Sequence, residues 1–156
     1  MDTNQTARTP LIPIEALLPH GEGMRLIDQV VTVDEHCAVA QATVKRHWPM
    51  VTGEGVNPMV LIEMAAQTAG VCIGWRAHTN RVTGNAAPKG WLVGVKQAMF
   101  YADSLPLEAF ITIDAEVRLT VGGFREIIAM ATMGETLVGE VHLQVLQDEG
   151  TGEPFF

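Results

Sequence analysis

The longest apolar stretch of the chain, NPMVLIEMAAQTAGVCIGW at residues 57–75, has hydrophobic positions on every side of a helix. A helix without a polar face is typical of the inside of a domain or a membrane. Glu63 and Gln67 interrupt the stretch, so it falls short of the roughly 18 uninterrupted apolar residues of a membrane span. Asn57 is a good N-cap and Pro58 a good first helical residue. The pattern predicts a long buried helix that carries one carboxylate.

Most of the remaining chain follows the period of two that is typical of strands. Segment 108–119 alternates most clearly, since its apolar face consists of Ile111, Ile113, Ala115, Val117 and Leu119. Other strands are predicted at 25–33, 37–45, 91–101, 124–133 and 136–146, with a short helical turn at 14–18 and loops at 47–56 and 78–89. This order of two strands, a helix and four antiparallel strands predicts an α+β fold, in which one bent antiparallel sheet wraps around the helix.

Two glycines inside the predicted helix, Gly70 and Gly74, lie one turn apart. Glycine weakens a helix, so we expect another element to approach the helix closely there. The chain divides into a disordered tail at 1–9, one domain at 10–147 and a C-terminal tail at 148–156.

Composition narrows the function. The chain of 156 residues has a net charge of −8, which disfavours nucleic acid and anionic membranes as partners. A mean hydropathy of +0.18 is high for a monomer, so we expect an oligomer that covers apolar surface. Cys37 and Cys72 are interpreted as reduced core thiols, and we predict neither a metal site nor a cofactor. The polar start lacks a signal peptide, so we expect a cytoplasmic protein.

Three stretches resemble one family, the 3-hydroxyacyl-acyl-carrier-protein dehydratases. LLPHGEGMRLIDQV (17–30) resembles the opening turn and strand of that family. VLIEMAAQTAG (60–70) is similar to its central-helix signature, with acid and glutamine one turn apart. VGVKQAMFYADSLP (93–106) resembles the strand after the helix. The resemblance covers 17–146 and is closest to the dehydratase-like proteins of aryl-polyene biosynthetic clusters.

The resemblance implies a single hotdog domain that works as a dimer, with the two sheets paired edge to edge. It further implies an active site at the dimer interface, beside a tunnel for an acyl chain on phosphopantetheine. A histidine of one protomer would face the helix carboxylate of the other. On this chain the acid is Glu63, and His47 in HWP resembles the histidine of the family's His-Phe-Pro. The expected partners are an acyl-carrier-protein or coenzyme A thioester and a second copy or a paralogue.

The implied substrate-binding residues are Asn57, Pro58, Met59 and Gln67. Pro58 stands where the family has a glycine whose N–H binds the thioester oxygen, and proline has no N–H. Either the donor moves to the Met59 N–H or the oxyanion hole is impaired, at a typical cost of about 10²–10³ in rate.

Each candidate also has a structural interpretation. A carboxylate in an apolar helix is costly unless it is bonded or used, so Glu63 is either catalytic or bonded to a neighbour such as Gln67. His47 is either the base or a surface histidine after a strand. His20, in a Pro-His-Gly turn, is the second candidate histidine. The basic residues that could receive a carrier protein are Lys45, Arg46, Arg76, Arg81, Lys89 and Arg125.

Three functions follow. The leading hypothesis is dehydration of a 3-hydroxyacyl thioester to the trans-2-enoyl thioester, with His47 as base and Glu63 as acid. The second is a non-enzymatic subunit that binds acyl chains or stabilises an active paralogue. The departure at Pro58 motivates it, as does the longer spacing of His47 from Glu63 than in the family. The third is a thioesterase, in which the carboxylate activates water.

Overall fold

The computed structural model describes residues 13–18, 21, 23–79 and 90–147, apart from the side chains of residues 77 and 78. The predicted tails, His20 and residues 80–89 of the predicted loop lie outside the described residues. The helices are α1 (Ile14–Leu17) and α2 (Val60–Thr79). The strands are β1 (Gln29–Val33), β2 (Cys37–Thr43), β3 (Val51–Thr52), β4 (Gly55–Val56), β5 (Gly90–Phe100), β6 (Leu105–Pro106), β7 (Phe110–Val121), β8 (Phe124–Met133) and β9 (Thr136–Gln147).

Six strands form one antiparallel sheet in the order β1-β2-β7-β8-β9-β5. A small second sheet has the order β3-β4-β6. The tight turns between β7 and β8 and between β8 and β9 use Gly122 (φ 59°) and Gly134 (φ 59°). These positive φ angles are open to glycine without steric cost, which lets consecutive strands pair directly.

Helix α2 packs across the inner face of the large sheet, as the predicted α+β architecture requires. The alternating pattern of β7 buries Ile111, Ile113 and Ala115 against the core that contains Leu61 and Met64 of the helix. The alternation fades towards the end of β7, where Leu119 is exposed. A register irregularity between Val117 and Leu119 in the pairing with β8 interrupts the period of two at this point.

Two predicted elements differ from the observed ones. The strand predicted at 25–33 begins pairing only at Gln29, although Leu26 and Ile27 are already buried. Residues 24–26 bind a side chain of α2 instead of a neighbouring strand. The loop predicted at 47–56 contains the β3–β4 hairpin, with Gly53 (φ 61°) at its turn. Strands of two residues carry too little pattern to be read from sequence.

The close approach expected at the helix glycines is observed, and the neighbour is α1 with its C-cap. A Cβ added to Gly74 would lie 2.5 Å from the Leu17 carbonyl oxygen, and one added to Gly70 would lie 3.0 Å from Leu18 Cδ2. Both leucines are buried. The glycines therefore allow α1 to cover one side of α2.

Strand β5 forms one edge of the large sheet, because only β9 pairs with it among the described strands. Its first half exposes four large apolar side chains: Trp91, Leu92, Val93 and Val95. Unpaired main-chain groups beside exposed apolar side chains are a ready template for pairing with another chain. This edge is the strongest structural sign of an assembly.

Candidate active site

Helix α2 begins in a short turn whose amide hydrogens are already used. The Met59 N–H donates to Asn57 Oδ1 at 3.0 Å, so Asn57 caps the helix as predicted. Pro58 has no N–H to donate. The next three amides donate to main-chain carbonyls: Val60 to Asn57 at 3.1 Å, Leu61 to Pro58 at 2.9 Å and Ile62 to Met59 at 3.0 Å. The donors predicted for an oxyanion thus have acceptors within the chain itself.

Glu63 lies in the first turn of α2 and is held by Gln67 one turn further on. Gln67 Nε2 donates to Glu63 Oε1 at 3.0 Å and to the Met24 carbonyl oxygen at 2.8 Å. Gln67 Oε1 accepts the Leu26 N–H at 2.8 Å. Because Leu26 N–H can only donate and the Met24 carbonyl can only accept, the orientation of this amide is fixed. Gln67 therefore presents an N–H, and not an oxygen, to the carboxylate.

The prediction that the Glu63 carboxylate is deeply buried is wrong for the single chain. Glu63 is only half-buried in the single chain, whereas Gln67 is fully buried. The reason is local, since Glu63 stands at the open start of the helix and Gln67 lies under residues 24–26. The apolar sequence context of α2 thus predicts the burial of Gln67 better than that of the acid.

His47 lies in an exposed turn between β2 and β3, on a different element from Glu63. The next residue, Trp48, is buried, and its indole Nε1 has no hydrogen-bond partner within the described part of the chain. Met50 has a left-handed backbone with φ 65°, and its carbonyl accepts the Asn57 N–H at 3.0 Å. A non-glycine residue in this conformation is strained. The hydrogen bond between Asn57 and Met50 connects the loop that contains His47 to the start of α2.

Exposed methionines surround the start of α2. The carbonyl of Met24 (68% exposed) accepts a hydrogen bond from the Gln67 side-chain amide that also binds Glu63. Met59 (49% exposed) directly precedes α2, four residues before Glu63. Met50 is also exposed. Flexible, polarizable side chains of this kind suit an adaptable apolar surface. The carboxylate therefore stands beside exposed apolar side chains.

The other end of α2 holds a separate polar cluster around Asp34. Cys37 Sγ donates to Asp34 Oδ2 and Cys72 Sγ to the Asp34 carbonyl, each at 3.3 Å. Burial raises the pKa of Cys37 to about 11 and that of Cys72 to about 12, and the nearby Asp34 charge adds to both shifts. Both thiols are free and stay protonated at neutral pH, so neither is a nucleophile.

A small cleft of about 220 Å³ lies at the same end of the helix. Its lining consists of Asp34, Glu35, His36, Trp75 and Thr79. Trp75 is twelve residues beyond Glu63, about 18 Å along a helix. The cleft is too far away to hold the atoms that react at Glu63.

Arg125 does not belong to the predicted basic surface for a carrier protein. Arg125 is only 5% exposed and belongs to the inward-facing side of β8, so it cannot receive a carrier protein at the surface. Arg46 pairs with Glu54 at 3.2 Å, and Lys45 pairs with Asp28. Exposed pairs of this kind contribute little to stability and remain open to exchange with other charges.

Among the described residues, no group of three or more His, Cys, Asp and Glu side chains could hold a metal ion. Within the same part of the chain, no helix is long and apolar enough to cross a membrane. The start of α2 offers a carboxyl group with a bonded neighbour and exposed apolar side chains, and His47 lies on a separate loop.

Solved structures with the same architecture define the fold. The chain is similar to the dehydratase heterocomplex ApeI:P from Xenorhabdus doucetiae, with a TM-score of 0.79 and 23% identity over 91% of this chain and 95% of that chain. A sigma28-regulated virulence protein from Campylobacter jejuni matches with a TM-score of 0.67 and 17% identity, over 87% and 88% of the two chains. A hypothetical thioesterase from Streptococcus pneumoniae matches with a TM-score of 0.62 and 10% identity, over 77% and 84%. The fold is the hotdog fold, as the resemblance implied.

The family follows from sequence. The model of the ApeP-like family, described as ApeP dehydratase, matches residues 12–154. The chain therefore belongs to the ApeP-like dehydratase family and is a dehydratase-like enzyme. No curated protein sequence matches it.

Proposed function

We propose that this protein removes water from a 3-hydroxyacyl thioester, carried on acyl carrier protein, to give the trans-2-enoyl thioester in polyene-type biosynthesis in the cytoplasm. Such a reaction needs a base for the α-proton, an acid for the departing hydroxide and a donor for the thioester oxygen. His47 is the base in this proposal and Glu63 is the acid. Membership of the ApeP-like dehydratase family supports the reaction class.

The observation that carries the site proposal is the hydrogen bond that holds Glu63 beside exposed apolar side chains. A carboxyl group acts as a general acid only if it stays within hydrogen-bond reach of the leaving group. The bond from Gln67 limits the orientations open to Glu63, and Gln67 is itself held by the main chain at Met24 and Leu26. The exposed side chains of Met24 and Met59 offer an apolar surface beside it for the acyl chain.

The thioester oxygen is assigned to the Met59 N–H at the start of α2. The N-terminus of a helix attracts negative charge, because its amides and its dipole both point positive charge outwards. Pro58 lacks a donor, and the amides of residues 60–62 are bonded to main-chain carbonyls. Met59 is therefore the first amide that a substrate could reach, after displacing Asn57 Oδ1.

We further propose that the site is completed by a second subunit paired along β5. The exposed apolar half of β5 and its unpaired edge support this arrangement. His47 of one subunit would then face Glu63 of the other. The similar Xenorhabdus doucetiae structure is described as a heterocomplex, which favours a paralogue as the partner of this chain as well. A second copy of the chain remains the alternative partner.

The test is a product assay on the purified assembly with a 3-hydroxyacyl chain on acyl carrier protein. We expect the acyl carrier protein to lose the mass of one water while its thiol stays acylated. Release of free thiol would identify a thioesterase instead. If mass and acylation were both unchanged, in the chain alone and in the assembly with its paralogue, the dehydratase proposal would be wrong for this chain and a binding or stabilising role would replace it.

A further inference from the structure

The start of α2 contains a contact that competes with the proposed substrate. Asn57 Oδ1 occupies the Met59 N–H at 3.0 Å, which is the amide assigned above to the thioester oxygen. Resting on that proposed function, we infer that the Asn57 side chain is an internal competitor of the substrate and holds the oxyanion site closed until the substrate displaces it.

Only this one contact can open without unwinding the helix. The amides of Val60, Leu61 and Ile62 donate to main-chain carbonyls within the first turn, so freeing them would break that turn. The Asn57 acceptor is a side-chain oxygen, and rotation of χ1 and χ2 removes it while the backbone stays in place. Asn57 and Met59 are both exposed, so a substrate oxygen can approach from solvent.

The backbone of Asn57 is fixed independently of its side chain. Its N–H donates to the Met50 carbonyl at 3.0 Å, and Met50 holds its left-handed conformation at φ 65°. The side chain can therefore leave and return without moving the loop.

The size of the effect follows from the strength of a cap. An N-cap side chain changes the equilibrium at a helix start on the order of fivefold. Because the substrate must displace the Asn57 side chain, binding of the transition state is weaker by about the same factor. Removal of the side-chain oxygen should therefore lower stability and raise activity together, a combination that a simple cap does not produce.

The experiment compares Asn57→Ala and Asn57→Asp with the wild type in the assembly that carries activity. We expect Asn57→Ala to unfold at a lower temperature and to raise kcat/KM about threefold to tenfold, since the Met59 N–H becomes free. Asn57→Asp keeps the cap and places a negative charge where the oxyanion develops, so we expect its kcat/KM to fall below that of the wild type. Ile127→Val, a core change on β8 of similar expected effect on stability, controls for loosening of the fold and should leave kcat/KM unchanged.

The outcomes separate this inference from the proposed function. An active wild type with an equal or slower Asn57→Ala variant would overturn the inference and leave the dehydratase proposal standing. An inactive wild type with an active Asn57→Ala variant would support both. If the wild type and both Asn57 variants formed no enoyl product, the dehydratase proposal would fall and the competitor role with it.

Discussion

Glu63 is held by a neighbour, Gln67, that makes three hydrogen bonds. One amide hydrogen of Gln67 is donated to the Met24 carbonyl, and the other is donated to the Glu63 carboxylate. The amide oxygen accepts the Leu26 N–H. A side chain held by three hydrogen bonds cannot rotate without losing several of them at once. The orientation of the acid is therefore set by the buried packing of the helix and not by the exposed surface around it.

Gln67→Met keeps the length of the side chain and removes all three hydrogen bonds. It leaves a buried amide and a carbonyl without partners, so we expect the free energy of unfolding to fall by about 2–4 kcal/mol. We also expect kcat to fall about tenfold or more with little change in KM, because the acid loses its fixed position. Denaturant unfolding and steady-state kinetics measure the two effects.

The adjacent residue provides the control for this change. Thr68 is equally buried, but its hydroxyl donates only to the Met64 carbonyl within the same helix. Thr68→Val should therefore leave kcat unchanged and lower stability by less than about 1 kcal/mol. A Gln67→Met variant that matched Thr68→Val in kcat would remove Gln67 from the site.

The thiols at the far end of α2 make stability depend on alkaline pH. In the folded chain the pKa of Cys72 is raised from 9.0 to about 12 by burial, so the unfolded chain loses this proton first as pH rises. The contribution of the neutral Cys72 thiol to the free energy of unfolding is fully present below about pH 9 and is lost progressively between about pH 9 and 12. We expect Cys72→Ala to flatten this decline in denaturant melts at stepped pH. Equal slopes for variant and wild type would contradict the buried thiol.

At the scale of elements, the interface between α1 and α2 depends on one glycine more than on the other. The Gly74 position faces the Leu17 carbonyl oxygen, a main-chain atom that cannot move aside, whereas Gly70 faces the end of the flexible Leu18 side chain. Gly74 therefore permits the contact, and Gly70 only eases it.

Alanine at the two glycines separates these effects. Gly74→Ala should lower the free energy of unfolding by about 1–3 kcal/mol, because the new Cβ displaces α1. Gly70→Ala should be neutral or should stabilise the chain by up to about 1 kcal/mol through higher helix propensity. Thermal or denaturant unfolding compares them. If Gly74→Ala were as stable as Gly70→Ala, α1 would not be packed as described.

The sequence predicts long elements well and contacts between distant residues poorly. The apolar run and its Asn-Pro start predict α2, and the alternation in 108–119 predicts β7, because each pattern is repeated over many residues. The pairing of Gln67 with Met24 joins positions more than forty residues apart, and no local pattern encodes it. The closed Met59 amide depends on the rotamer of Asn57, which only coordinates reveal. The apolar pattern of α2 singled out Glu63 as its one carboxylate, whereas the choice of His47 among the histidines rested on the resemblance to a family.

At the scale of the whole molecule, the proposed assembly depends on β5. The large sheet ends on this strand with its apolar half exposed, and Val93 is 54% exposed. An edge of this kind is unstable in isolation and favours pairing with a second sheet. The mean hydropathy of the chain predicted that an oligomer covers apolar surface. Among the described residues, β5 exposes a group of large apolar side chains on a sheet edge.

A charge on this edge should dissociate the assembly. We expect the double variant Val93→Asp and Val95→Asp to sediment as a single chain, since two buried carboxylates would repel the partner edge. Val121→Asp, an exposed valine on β7 (63% exposed), is the matched control and should leave the assembly intact. If the double variant sedimented like the wild type, assembly would use a different surface.

The central claim is that Glu63 and His47 carry out the dehydration, and the most direct measurement is the kcat/KM of Glu63→Gln and His47→Ala on a 3-hydroxyacyl chain attached to acyl carrier protein. Glu63→Gln keeps the size of the side chain, and His47→Ala changes an exposed residue. Circular dichroism should therefore show an unchanged fold for both variants. We predict that each lowers kcat/KM by about 10²–10⁴, the usual contribution of a general acid or base. Values within about threefold of the wild type for either variant would contradict its assignment as a catalytic residue.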